Sequence, residues 1–523
     1  MNAIQPNSEL IKKKDACPMD DIQGYGVLAS FLIGKVFELD FAMDDMLDYG
    51  VVGALAVVER AAALSLATHA ILRKRETQSV LGWVGLIWFS PFVGSILYFC
   101  FGVNRIERKA ARIQKRMDHR FREALRKGRF LDNDASGTAL PFNGKLNVVI
   151  AHVTGKALLG GNAVDYYDGG EAAYPEMLTA IDQAKKSVSL ASYIFDNDRA
   201  GQEFVAALAR AQERGVEVRV LVDSVGARYS KPSILQLLAK SRIPAARFLP
   251  TVAPRLPAYS NLRNHRKLLV VDGRVGFTGG MNIRAACRGD WPAAHPVHDI
   301  HFRFRGPVVS HIQEAFVTDW AFTTQEKLFN NVWFSIPERC GNVRARGIPD
   351  GPDGNFDAIR LSILGALAVA EKRIDIVTPY FLPDDSIINA LNIAAMRGVK
   401  VRILLPREVN IRAVQWASTD PLSHVLPRGC EVYLSPPPFD HSKLLLVDQE
   451  WVLVGSSNWD PRSLRLNFEF NIECYDADLN WKLSELIRLK LEKSQRMTMA
   501  DLKARSFPVR LRDGVARLAI PYL

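Results

Sequence analysis

Apolar and polar positions divide the chain into three stretches. The first is apolar without short-period alternation. No charged residue occurs between Glu76 and Arg105, and the core of this stretch, SVLGWVGLIWFSPFVGSILYFCF, covers 79–101. A helix needs about 20 apolar residues to cross a bilayer core, so the pattern predicts a membrane helix. Trp83, Trp88 and Tyr98 suit membrane interfaces, although Trp88 lies nearer the middle. Pro91 and three glycines would weaken a helix in water and are tolerated in a bilayer. A second apolar stretch, 51–72, has the right length but carries Glu59 and Arg60 near its centre. Each such charge costs about 2.5–3.5 kcal/mol there, so spanning, re-entrant and surface placements all stay open. The first 24 residues are too polar to begin a cleaved signal peptide.

The second stretch, RIERKAARIQKRMDHRFREALRKGR over 105–129, is strongly basic. Basic residues beside a membrane segment place that side in the cytoplasm and attract anionic headgroups. In the third stretch, from about residue 145, short apolar runs alternate with amphipathic helices, an α/β pattern. Two parts of it echo each other: AKKSVSLASYIF with RGVEVRVLV, and AEKRIDIVTPYF with RGVKVRILL, the second pair starting 183 residues apart at Arg214 and Arg397. Such self-similarity predicts two copies of one domain. The expected organisation is a polar segment 1–50, a membrane region 51–104, a basic linker 105–144, and repeated domains over 145–335 and 336–523.

Composition adds limits. A length of 523 residues suggests two or three domains, and 48% hydrophobic residues supply real cores. A net charge of +11 suits an anionic partner, lipid or nucleic acid, without choosing between them. Six cysteines with no CxxC pair argue against a disulfide framework or zinc site.

The repeat carries chemistry. NHRKLLVVDGRVGFTGGMNI (264–283) matches FDHSKLLLVDQEWVLVGSSN (439–458): His265 with His441, Lys267 with Lys443, Asp272 with Asp448 and Asn282 with Asn458, all 176 residues apart. One accidental H-x-K-x4-D is expected only a few hundredths of the time, on the order of one such motif in dozens of chains like this. On a strand the histidine and lysine share a face, and Asp272-Gly273 reads as a turn that brings Asn282 back to them. In the second copy Ser456 and Ser457 return with Asn458. Two ammonium groups, two amides and two imidazoles suit a phosphodiester. One neutral histidine can attack phosphorus while a protonated one serves the leaving and entering alcohols. No carboxylate cluster accompanies the motif, so neither metal nor other cofactor is expected. By strand parity Asp299 in HDIHFRFRG and Glu469 in LNFEFNIECY are free to orient histidines, each that of its own repeat. Asp440 beside His441 could raise that histidine's pKa or alter acceptor selection. The two histidines of HPVH are read as a loop rather than a metal pair.

These paired motifs resemble the phospholipase D superfamily, whose signature is two H-x-K-x4-D motifs, each followed by G-[GS]-x-N. GSSNWDPRSLRLNFE, TPYFLPDDSIINAL, FGVNR and the final ARLAIPYL extend the resemblance to the bacterial cardiolipin synthases over roughly 50–523. It implies two α/β/α domains in a pseudo-two-fold unit behind N-terminal membrane helices, with one active site at their junction. It implies metal-free transfer of a phosphatidyl group between two phosphatidylglycerol molecules through a phosphohistidine, giving cardiolipin and glycerol. His265 would be the nucleophile and His441 the acid/base, with Asp272 and Asp448 supporting the catalytic set. Asn282, Asn458 and Ser456 would bind phosphate. The implied place is the bacterial inner membrane with the catalytic domains cytoplasmic, and no nucleic-acid partner. Another acceptor alcohol, water, or a nuclease activity are the alternatives. Oligomeric state, and which histidine attacks, do not follow from the residues themselves.

Overall fold

The computed structural model describes residues 49–74, 77–102, 144–249, 262–336, 338–352 and 357–518. The polar segment before residue 49, the basic run 105–129 and the last five residues lie outside them. Two compact units emerge, 1–102 and 103–523.

In the first unit, helix Tyr49–Arg73 is followed by Thr77–Phe89, Pro91–Leu97 and a π turn at Tyr98–Gly102. The uncharged stretch 79–101 was expected as one helix. It breaks instead at Ser90, whose non-helical backbone precedes Pro91, a residue that cannot donate the next helical hydrogen bond. Gly94 lets the returning piece approach closely: a Cβ there would lie 2.4 Å from the Leu86 carbonyl oxygen. Among the described residues, no helix is long and apolar enough to cross a membrane. The packing is that of a hairpin turned outward. Small Ala63, Ala67 and Ala70 are buried, with Ile87 and Tyr98, while Leu64, Leu72, Leu81, Phe89 and Phe92 are exposed. Tyr98 is held by His69, 2.8 Å from its hydroxyl.

The second unit contains both repeats. The first half contributes β1 (Leu159–Asp168), β2 (Ser187–Ser192), β3 (Glu217–Asp223), β4 (Ala245–Phe248), β5 (Leu268–Val271), β6 (Val275–Gly279), β7 (Val297–His298) and β8 (Ile300–Arg305). The second half contributes β9 (Val343–Asp350), β10 (Arg373–Val377), β11 (Lys400–Pro406), β12 (Glu431–Ser435), β13 (Phe439–Asp440), β14 (Leu444–Val447), β15 (Trp451–Gly455), β16 (Glu469–Tyr475) and β17 (Gln495–Met497). Fifteen of these strands form one sheet, in the order β17-β12-β11-β10-β14-β15-β16-β9-β1-β8-β6-β5-β2-β3-β4. The halves mirror each other about the β9–β1 pair, so β2 answers to β10, β5 to β14 and β8 to β16.

The sequence explains the layers. β5 (LLVV) and β14 (LLLV) are apolar throughout and buried throughout, as strands covered on both faces must be. Helices Arg199–Glu213 and Asp385–Met396 each begin at an aspartate, Asp198 and Asp384, whose side chain accepts from a first-turn N–H. One core joins the halves: Phe302, Phe316 and Trp320 pack in the same cluster as Val452, Ile472 and Leu483. Each half also has its own core on the other face. Shared packing makes the junction a fixed place, where the motif residues meet.

Candidate active site

Regular strand begins only at Leu268 and Leu444, so the motif histidines and lysines lie in the extended lead-ins. Each lead-in is pinned by the opposite half. Asn264 bridges to Phe468, and the His265 N–H donates to the Phe468 carbonyl at 2.9 Å. β13 pairs with β7 in parallel, and the His441 N–H donates to the His298 carbonyl at 2.7 Å. The residue after each pinning partner is a carboxylate, Glu469 after Phe468 and Asp299 after His298. The imidazoles therefore meet carboxylates across the junction. His265 Nδ1 lies 3.0 Å from Glu469, and His441 Nδ1 lies 2.7 Å from Asp299. The expected pairing of each carboxylate with its own repeat's histidine is thus reversed, because each lead-in is paired with the other half's chain.

The two ring centroids are 6.4 Å apart. That spacing suits a tetrahedral phosphorus approached from both sides at about 3–3.5 Å. Around them lies a pocket of about 170 Å³, lined by Asn282, Asn458, Tyr193, Tyr380, Arg263 and Arg462 among others.

Burial dominates the electrostatics. It pushes Lys267 down to about 7, with the Lys443 cation adding to the fall, and Lys443 down to about 8. Burial, then the Lys443 cation, pushes His441 down to about 4. Burial also lowers His265 against the pull of Glu469. Burial works to raise Glu469 and Asp299, but the facing histidines and lysines outweigh it and hold both carboxyls below their ordinary values. The Glu469 and Asp299 carboxylates oppose the fall of both lysines. An entering phosphodiester adds one negative charge, which favours a proton on one of the two imidazoles.

Both neighbours of His265 Nδ1 are acceptors, Glu469 and the Ser456 carbonyl at 3.1 Å. Nδ1 therefore carries the proton and Nε2 keeps its lone pair. His441 Nδ1 meets an acceptor, Asp299, and a donor, Lys443 Nζ at 2.8 Å.

The family model described as cardiolipin synthase, PLD-like domain, matches residues 177–320 and 363–489, and so takes in both motifs. The chain belongs to the cardiolipin synthase family. A second model, phospholipase D-nuclease N-terminal, matches residues 61–102. The chain is 30% identical to the major cardiolipin synthase ClsA of Bacillus subtilis over 86% of its own length and 95% of that protein's. It is 32% identical to a cardiolipin synthase of Alkalihalophilus pseudofirmus over 95% of its length and 99% of the relative's. In fold it resembles the phosphatidylserine synthase of Haemophilus influenzae, with a TM-score of 0.58, 15% identity, and coverage of 73% of this chain and all of that one.

Not every candidate lies in this cardiolipin-synthase site. Asp272 and Asp448, expected in the catalytic set, sit at the far ends of β5 and β14. Five residues of extended chain put Asp272 about 16 Å from Lys267. Asp272 accepts from the N–H groups of Lys185, Lys186 and Ser187 at 2.7–3.0 Å. Asp448 does the same for Glu371, Lys372 and Arg373. Both adopt left-handed backbone in the turn, φ 53° and 52°. They fasten the start of β2 and β10. Asp272→Ala should therefore cost about 2–4 kcal/mol of stability, seen as a lowered melting temperature, while kcat of the folded protein stays within about threefold. A loss of kcat without a loss of stability would return Asp272 to the reaction.

Asn282 accepts from the Ile194 N–H at 3.0 Å and faces the pocket. Asn458 faces it too and hydrogen-bonds Asp460. Ser456, expected to bind phosphate, instead donates its hydroxyl to Glu469 at 2.5 Å, behind His265. Tyr193 and Tyr380 pack edge-on to His265 and His441, centroids 5.1 and 6.4 Å away, and the sequence argument passed over them. Their signal was present: both follow the same strand of the repeat, in ASYIF and TPYF. Arg266 was missed as well. It is buried, pairs with Asp319 at 2.7 Å and donates to the Glu469 carbonyl at 2.9 Å, fixing that residue's backbone.

Asp440 does not raise His441. It pairs with Lys490 at 2.5 Å and lies 3.4 Å from His298 Nδ1, while His298 Nε2 meets Asp168 at 2.8 Å. His298 is thus drawn into an ion network rather than a metal pair. Among the described residues, no three ligating side chains converge as a metal site would need. Burial opposes the His298 charge, but Asp168 and Asp440 outweigh it and push its pKa up to about 9. Its stabilisation is full below its unfolded pKa of about 6.5 and lost as pH rises through 9. The melting temperatures of wild type and His298→Gln should accordingly differ at pH 6 and converge above pH 9. A gap independent of pH would refute this.

Proposed function

We propose that the protein transfers a phosphatidyl group from one phosphatidylglycerol to the primary hydroxyl of a second, releasing glycerol. The observation that carries the division of roles is the pair of acceptors at His265 Nδ1. His265 Nε2 attacks phosphorus, the bond from phosphorus to the glycerol oxygen breaks, and His441 gives that oxygen its proton. A phosphohistidine remains. His441 then takes the proton of the incoming hydroxyl, whose oxygen bonds to phosphorus as the nitrogen–phosphorus bond breaks. Lys267, Lys443, Asn282 and Asn458 hold the phosphoryl oxygens, with the largest benefit as charge shifts in the transition state.

The N-terminal unit supports residence at a membrane. Leu64, Leu72, Leu81, Phe89 and Phe92 are exposed while Ala63, Ala67 and Ala70 pack inward, as in helices that associate within lipid. With the basic run 105–129, this favours the bacterial inner membrane and catalytic domains on the cytoplasmic side.

The test is labelled phosphatidylglycerol in mixed micelles, with and without EDTA. Cardiolipin and glycerol in equal amounts, unaffected by EDTA, are expected. Phosphatidic acid alone would make water the acceptor and the protein a hydrolase. Cleavage of a phosphodiester nucleotide with no lipid turnover would place the substrate in another class.

A further inference from the structure

The helix Phe507–Leu518 has no part in the chemistry described, yet it is built as an interfacial helix. At 100° per residue, Phe507, Leu511, Val515 and Leu518 fall within an arc of about 80°. They are 74%, 57%, 60% and 75% exposed. The opposite side is packed, with Asp513 and Ala516 buried. Arg510 and Arg517 lie on one shoulder of the apolar stripe and Arg512 on the other, Arg517 pairing with Asp420 and Arg512 with Asp513 within the chain. From Lys503 to Leu518 there are five basic residues and one acidic, the buried Asp513.

We propose that this helix lies in the surface of an anionic phospholipid bilayer, stripe inward and arginines at headgroup level. Apolar residues flanked by arginines on both shoulders are the pattern of helices that lie in the interface plane. A second copy of the chain fits less well. The stripe is about 18 Å long, and its four residues, 57–75% exposed, present on the order of 400 Å², about half of the roughly 800 Å² per partner of a stable interface. The contact also bears on the reaction site. Ala516 packs with Leu382, Val414 and Tyr380, and those three line the histidine pocket. A bilayer against the stripe would lie about one helix diameter, roughly 10 Å, from the pocket wall. This goes beyond the transfer reaction and does not depend on which alcohol accepts.

The test places a photoreactive benzoylphenylalanine at position 511 of the full chain, and in a second protein at exposed Trp481 on another helix. Both are reconstituted into vesicles of phosphatidylcholine, alone or with phosphatidylserine, an anionic lipid that is not the proposed substrate. Lipid adducts at 511 should exceed those at 481 by at least about fivefold, rise with phosphatidylserine and fall at high salt. A chain-to-chain adduct at 511 would mean that a second copy covers the stripe. Equal lipid labelling at both positions, or none at 511, would overturn the proposal. Because the readout is contact with lipid, these outcomes stand whether or not the protein turns over phosphatidylglycerol.

Discussion

His265→Ala should lower phosphatidyl transfer by at least about 10³-fold, and no phosphoenzyme should form from any substrate. His441→Ala should be as slow on phosphatidylglycerol but fail at a different point. A glycerol oxygen leaves poorly unless protonated, so removing the acid stops the first half-reaction. A nitrophenolate leaves without a proton. With a phosphatidyl nitrophenol, His441→Ala should release one equivalent of nitrophenol in a burst and stop with phosphorus on His265. His265→Ala should show no burst. The phosphohistidine, acid-labile and base-stable, can be trapped and its position read by peptide mass. A burst in His265→Ala and none in His441→Ala would exchange the two roles. Both imidazoles sit in the same pocket, and the distinction between them rests on two contacts. His265 Nδ1 faces acceptors only, whereas His441 Nδ1 also faces the Lys443 ammonium.

The pairing of the two halves was legible in the sequence because the chemistry recurs with the strands that carry it. His265 and His441, Lys267 and Lys443, and Asn282 and Asn458 keep one spacing; the structure brings the histidines and asparagines to one pocket, while each buried lysine donates to the carbonyl of its own motif histidine. Strand parity also found Asp299 and Glu469. It could not find their partners, since parity acts along one strand, while the pairing is set by bridges between Asn264 and Phe468 and between β13 and β7. Asp272 and Asp448 were misplaced for a related reason. A motif written on one line does not show that its last member is seven extended residues from the first. The break at Ser90 was the remaining surprise. Hydropathy summed over 79–101 records how apolar the stretch is and not where Pro91 and Gly94 fold it back.

The crossed pairing makes a second large effect specific. Glu469→Gln should reduce kcat by about 10²–10⁴, the range seen when the carboxylate behind a catalytic histidine becomes an amide. A Gln amide can donate to Nδ1, which turns the ring to the tautomer whose Nε2 carries the proton and cannot attack. It also removes one of the two negative charges that oppose the fall of Lys267 and Lys443. Circular dichroism and melting would show whether the fold is kept. The nitrophenol burst then decides the wiring. If Glu469 serves His265 across the junction, Glu469→Gln loses the burst like His265→Ala, and Asp299→Asn keeps it like His441→Ala. If each carboxylate served its own repeat, the two results would be exchanged. Under the crossed arrangement neither half contains a working histidine by itself. On the proposed roles the covalent step draws on Glu469 from one repeat and His265 from the other, residues in contact although 204 apart in sequence. The β9–β1 pairing and the core shared by both halves are what hold those two residues together.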